Sequence, residues 1–156
     1  GGLDHMLAMI AVGVLGFQLG GRAMWALPAA FVAMMVAGGL LALGGIALPL
    51  VELGIIGSAI VLGLVIALGR RLPVVAAAPL VGAFAVFHGH AHGAEMPAGA
   101  SLWEFGAGFV AATLLLLGAG MALGKSVEKA GPQFAAIATR MCGAAIAAAA
   151  LVFATV

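Results

Sequence analysis

Charged residues are nearly missing from this sequence. They make up 7% of its 156 residues, against about 25% in a typical soluble domain, while hydrophobic residues make up 65%. A small folded domain keeps a large share of its surface wet, and too few polar side chains are present to cover it. A water-soluble globule is therefore excluded, and the solvent for most of the chain is a lipid bilayer. Six Lys and Arg stand against five Asp and Glu. That balance leaves no basic face for nucleic acid, and no such partner is expected. Cysteine occurs once, as Cys142, which excludes an internal disulfide and a multi-thiolate zinc site. In its Ala-rich stretch it is expected to be a buried structural thiol. No GxxxxGK[ST] loop is present, so ATP-driven pumping within this chain is not expected. The chain starts at Gly1, and residues 1–9 do not form a signal peptide, so a further upstream segment is expected.

What the sequence does have is long apolar runs. A helix needs about 20 mostly apolar residues to cross about 30 Å of hydrocarbon. Punctuation by Arg, Lys, Pro and Gly gives spans near 3–20, 25–43, 50–68, 73–92, 102–124 and 132–156. Open sheet edges cannot sit in lipid, and the runs lack the alternation of a barrel strand. The expected fold is all-α: a single transmembrane domain, 1–156, built as a bundle of about six helices with short loops. Linkers one, three and five carry Arg22, Arg70 with Arg71, and Lys125 with Lys129, whereas linkers two and four carry no Lys or Arg. Basic residues favour the cytoplasmic side, which puts both termini outside.

Gly16/Gly20 and Gly120/Gly124 are small residues four apart, a spacing that lets helices approach closely and is taken here as packing. Pro28 and Pro73 are expected in first turns, where the missing N–H costs little. Trp25 and Trp103 fall at span ends and suit interfacial anchoring. Three helices followed by three of opposite orientation would allow an inverted repeat, although the two halves share no convincing sequence similarity.

Ionisable side chains inside such spans are costly and are functional by default. Two clusters stand out. Asp4 and His5 open the first span, with Met9 one turn later, where it is either a soft outer ligand or core packing. The run Phe87-His88-Gly89-His90-Ala91-His92-Gly93-Ala94-Glu95 closes the fourth. At about 100° per residue, His88, His92 and Glu95 share one narrow stripe, while His90 points to roughly the opposite face. Imidazoles at i and i+4 with a carboxylate at i+7 have the spacing of metal ligands, provided the helix continues past Gly93. The topology brings both clusters to the same side and depth. The alternative is that all five are ordinary interfacial residues at helix ends. Imidazole and carboxylate without thiolate suit nickel, cobalt, zinc or manganese better than copper(I).

The stretch Gly2-Leu3-Asp4-His5-Met6-Leu7-Ala8-Met9 resembles the end of the HupE/UreJ signature His-Pro-x-x-Gly-x-Asp-His-x-x-x-Met, with Gly2, Asp4, His5 and Met9 on its fixed positions. The His88 run is similar to the family's second signature, Phe-His-Gly-x-Ala-His-Gly-x-Glu, at every fixed position, with His90 on the variable one. The opening His-Pro would lie upstream of Gly1. The resemblance covers essentially the whole chain. It implies a nickel or cobalt permease of the bacterial inner membrane, linked to hydrogenase or urease assembly. It also implies metal handling by Asp4, His5, His88, His92 and Glu95, with the metal as transported substrate, no organic cofactor and no catalysis. A homo-oligomer is left open. The rival is an intramembrane zinc-dependent hydrolase using the same His and Glu cluster, in which Glu95 would act as general base. No GxSG-like stretch surrounds Ser58, Ser101 or Ser126, which disfavours a serine protease. Outside the two clusters the polar candidates are Gln18, Ser58, Thr113, Thr139 and Arg140, the last expected to snorkel toward the cytoplasmic surface.

Overall fold

The protein is described by a computed structural model over residues 2–155. It is a bundle of six helices: α1 (Leu3–Leu19), α2 (Ala23–Leu43), α3 (Val51–Ala67), α4 (Val74–Ala94), α5 (Leu102–Glu128) and α6 (Pro132–Phe153). No strand occurs among the described residues. The starts and stops follow local chemistry. Ser101 caps α5 by accepting from the Glu104 N–H, and Glu104 places a negative charge in the first turn, where the helix dipole favours it. Pro132 opens α6, where its missing N–H costs nothing. Helix α1 stops at Gly20 and Gly21, both at positive φ, a conformation that any side chain would strain.

Four helices, α2, α4, α5 and α6, are long and apolar enough to cross a bilayer. Helices α1 and α3, close to the expected spans, have 17 residues each. At 1.5 Å per residue they reach about 25 Å, against about 30 Å of hydrocarbon. The reason lies in their surroundings. Helix α1 packs against α2, α3, α5 and α6, and Ala8, Met9 and the run from Ala11 to Gly16 are buried. A helix walled by protein matches its neighbours rather than the lipid. Pro28 departs from expectation. It is the sixth residue of α2, beyond the first turn, so the Met24 carbonyl loses its helical donor. Pro73 sits immediately before α4, at its N-cap rather than in its first turn. Trp25 and Trp103 are exposed near the starts of α2 and α5, and the Arg22 guanidinium lies 5.9 Å from the Trp25 ring.

Glycines set how closely the helices approach. In the α1–α5 contact a Cβ on Gly13 would strike the Leu117 carbonyl, and one on Gly120 the Ile10 carbonyl. The α2–α4 contact has the same form: a Cβ on Gly38 would strike the Val86 carbonyl, and one on Gly89 the Met35 carbonyl. The α3–α6 contact is its own mirror, because a Cβ on Gly63 would stand 2.7 Å from the Gly143 carbonyl and one on Gly143 2.6 Å from the Gly63 carbonyl. Exchanging α1 with α4, α2 with α5 and α3 with α6 therefore carries these glycine crossings onto one another with inverted direction. The correspondence is confined to them, because α1 also packs against α2 and α3 whereas α4, among the described residues, makes no comparable contact with α5 or α6. Of the glycine pairs singled out in the sequence, Gly120 and Gly124 pack on α1 and Gly16 on α2, whereas Gly20 serves as a helix stop.

Candidate metal site

The first turn of α1 and the last turns of α4 meet at one end of the bundle. Helix α4 does not break at Gly93. It runs to Ala94, and the Glu95 N–H still reaches the Ala91 carbonyl at 3.1 Å. Gly93 instead lets α4 approach α2, where a Cβ would stand 2.6 Å from the Gly39 carbonyl. His88 and His92 therefore lie on one face, and α1 brings His5 between them. The His5 ring is 5.0 Å from that of His88 and 4.9 Å from that of His92, in edge-on contacts. Phe31 packs on His88, and Phe109 on His92 at 4.1 Å.

The carboxylates lie beside the imidazoles. Asp4 Oδ1 is 3.3 Å from His5 Nδ1, and Glu95 Oε2 is 3.8 Å from His92 Nδ1. All five residues singled out in the sequence are thus brought together, and they form a graded series. The Glu95 side chain is 59% exposed, that of His92 14% and that of His5 8%, and His88 is fully buried. His5 and His92 also line a cavity of about 260 Å³ with Met6, Met9, Phe109 and Thr113 among its walls. The donors do not converge on one point. Among the described residues no three His, Cys, Asp or Glu side chains are grouped to hold a single metal ion. Two ring nitrogens, His5 Nε2 and His88 Nδ1, are nevertheless buried without a hydrogen-bond partner. Buried polar atoms are normally satisfied, so both are open donors for a Lewis acid.

The remaining polar residues sort by place. His90 faces away from the cluster, and its Nε2 donates to the Ile46 carbonyl at 2.9 Å, tying α4 to the loop before α3. Met9 is buried and lines the cavity. Thr113 is buried and donates to Met35 Sδ at 3.4 Å. Ser58, one of several scattered hydroxyls in the sequence, lies 2.9 Å from His88 Nε2, a contact between helices that no local spacing announces. At the opposite end of the bundle a cavity of about 780 Å³ is lined by Gln18, Arg71, Lys125, Glu128, Thr139 and Arg140, among others. Cys142 is half-buried rather than fully buried, and packs against the core from α6.

The family profile described as HupE / UreJ protein matches residues 1–153. The chain belongs to the HupE/UreJ family. Protein HupE of Rhizobium leguminosarum bv. viciae is 45% identical over 148 residues, which cover 94% of this chain and 75% of that protein. No solved structure matches. The stretches 2–9 and 87–95 quoted above both fall within the span matched to the family.

Proposed function

We propose that this chain is a permease for nickel or cobalt in the bacterial inner membrane, serving hydrogenase or urease assembly. The metal ion is the transported substrate, and Asp4, His5, His88, His92 and Glu95 are the donors along its path. The observation that carries this reading is the graded series from exposed Glu95 through His92 and His5 to fully buried His88. A single catalytic or structural site would gather its ligands around one point. A series of donors at increasing depth suits an ion that must be passed on, because conduction needs sites strong enough to admit it and weak enough to release it.

In this account a hydrated cation meets Glu95 first, where negative charge in the outer mouth raises its local concentration. It sheds water against His92 and His5 in the cavity, and then exchanges toward His88. The small residues at the crossings of α1 with α5 and α2 with α4 hold these pairs closely packed, and the His5 ring of α1 meets His88 and His92 of α4 between them. The inverted matching of these crossings supplies a way for the halves to rearrange about the site, as in transporters built on inverted repeats. Release would occur at the opposite end, where linkers one, three and five carry the basic residues and the orientation rule places the cytoplasm. The Arg71, Lys125 and Arg140 charges there do not retain a cation.

The hydrolase alternative requires a metal with an open position and a water held beside a general base. Among the described residues no three of the donors gather around one metal ion, which disfavours that reading. The test is uptake of radioactive nickel, with cobalt in parallel, by cells producing the chain with its native upstream segment. Accumulation above the empty-vector level is expected. Absence of uptake of either ion, with hydrolysis of ester or amide substrates on adding zinc, would replace this reading with the hydrolase.

A further inference from the structure

Ser58 lies in the middle of α3 and is fully buried. Its Oγ has two partners, the Ile55 carbonyl and His88 Nε2. A carbonyl oxygen can only accept, so the single hydroxyl proton is donated to Ile55. Ser58 Oγ then meets His88 as an acceptor, and His88 Nε2 must carry the ring proton. In a neutral imidazole the other nitrogen is a bare lone pair. That nitrogen, His88 Nδ1, is the one buried without a partner.

The same arrangement recurs on His5. Asp4 Oδ1 stands beside Nδ1 at 3.3 Å, and Nε2 is buried without a partner. Two rings 5.0 Å apart, on different helices, thus each have one nitrogen tied to an oxygen and the other left open. Histidines that bind metal characteristically have their far nitrogen held in this way, which fixes the tautomer and turns the ring. The pair is not a nucleophile with its base. A catalytic serine donates to its histidine, whereas this hydroxyl donates to a backbone carbonyl within its own helix, as Ser in helices commonly does.

We propose that Ser58 is a positioning residue for the metal path. By accepting from Nε2–H it holds His88 in the one tautomer whose Nδ1 can take a divalent transition-metal cation. This rests on the permease reading, in which His88 is the innermost donor, and it adds a group on α3 to a path otherwise formed by α1 and α4. Movement of α3 relative to α4 would then switch the donor on or off.

The test separates the hydrogen bond from the metal. Nitrogen NMR of histidine-labelled protein in lipid nanodiscs, without metal, reads which His88 nitrogen is protonated, with the signal assigned by its loss in His88→Asn. The expected result is a proton on Nε2 in the wild type and in Ser58→Thr, which keeps the hydroxyl, and loss of that preference in Ser58→Ala. Calorimetric titration with Ni2+ should then show binding weakened by about 10–100-fold in Ser58→Ala and largely retained in Ser58→Thr. A wild-type ring protonated on Nδ1 would overturn the proposal even if the variants fail to fold. So would equal Ni2+ affinity in Ser58→Ala and wild type. If the tautomer is as expected but the wild type binds no Ni2+, the permease reading fails and takes the role of Ser58 with it, while the hydrogen bond stands.

Discussion

At the scale of single residues, the account depends on where each imidazole nitrogen goes. His88, His92 and Glu95 could be placed on one face from their spacing, since 100° per residue leaves no other arrangement once the helix persists. That His5 would lie between His88 and His92 was legible only as a shared side and depth. The contact of Ser58 with His88 was not legible, because it joins α3 to α4 and a lone hydroxyl in an apolar helix carries no register. Three predictions belong at this scale. Asp4→Asn preserves volume but removes the charge beside His5 Nδ1, and should lower Ni2+ affinity by about tenfold or more in calorimetric titration. Unchanged affinity would show that Asp4 neither binds nor orients. His90→Gln, by contrast, should leave nickel uptake within about twofold of wild type, since that ring bonds the Ile46 carbonyl; a loss beyond about tenfold would place it on the path. Ligating imidazoles must also be unprotonated, so uptake at fixed free metal should fall when the medium is acidified far enough.

At the scale of helices, the boundaries followed from Pro, Gly and Arg punctuation to within a few residues, and α4 ran past Gly93. Helices α1 and α3 end within one residue of the expected spans, and their 17 residues suffice because α1 is walled by four other helices. The glycines show which contacts set the geometry. Gly89→Ala would drive a methyl into the Met35 carbonyl, and a backbone atom cannot step aside as a side chain can. Such overpacking should cost about 1–3 kcal/mol, read as a lowered midpoint of thermal unfolding in detergent. Gly118→Ala, which meets nothing within 4 Å, should be neutral or slightly stabilising, by up to about 1 kcal/mol, through higher helix propensity. Equal effects of the two substitutions would mean that the α2–α4 approach is not as close as described.

At the scale of the whole molecule, the inverted matching of the glycine crossings was open to the topology but invisible to sequence comparison. The reason is physical. Ile10 and Gly13 against Leu117 and Gly120 repeats as Val86 and Gly89 against Met35 and Gly38. What is kept is a backbone carbonyl meeting a glycine, and the side chains around it are free to differ. Membrane composition, by contrast, was plain from the scarcity of charge. Orientation is testable on its own: in a Cys142→Ala background, a cysteine at Ala98 should react with an impermeant thiol reagent on intact cells, and one at Ala130 only after lysis. The reverse pattern would invert the bundle and put the histidines on the cytoplasmic side. The central claim is that the clustered histidines carry metal across the membrane. Its most direct test is radioactive nickel uptake by cells producing the chain with its upstream segment, beside His92→Ala at matched membrane levels. The account predicts uptake by the wild type and loss of at least about tenfold in the variant; equal uptake by the two proteins would contradict it.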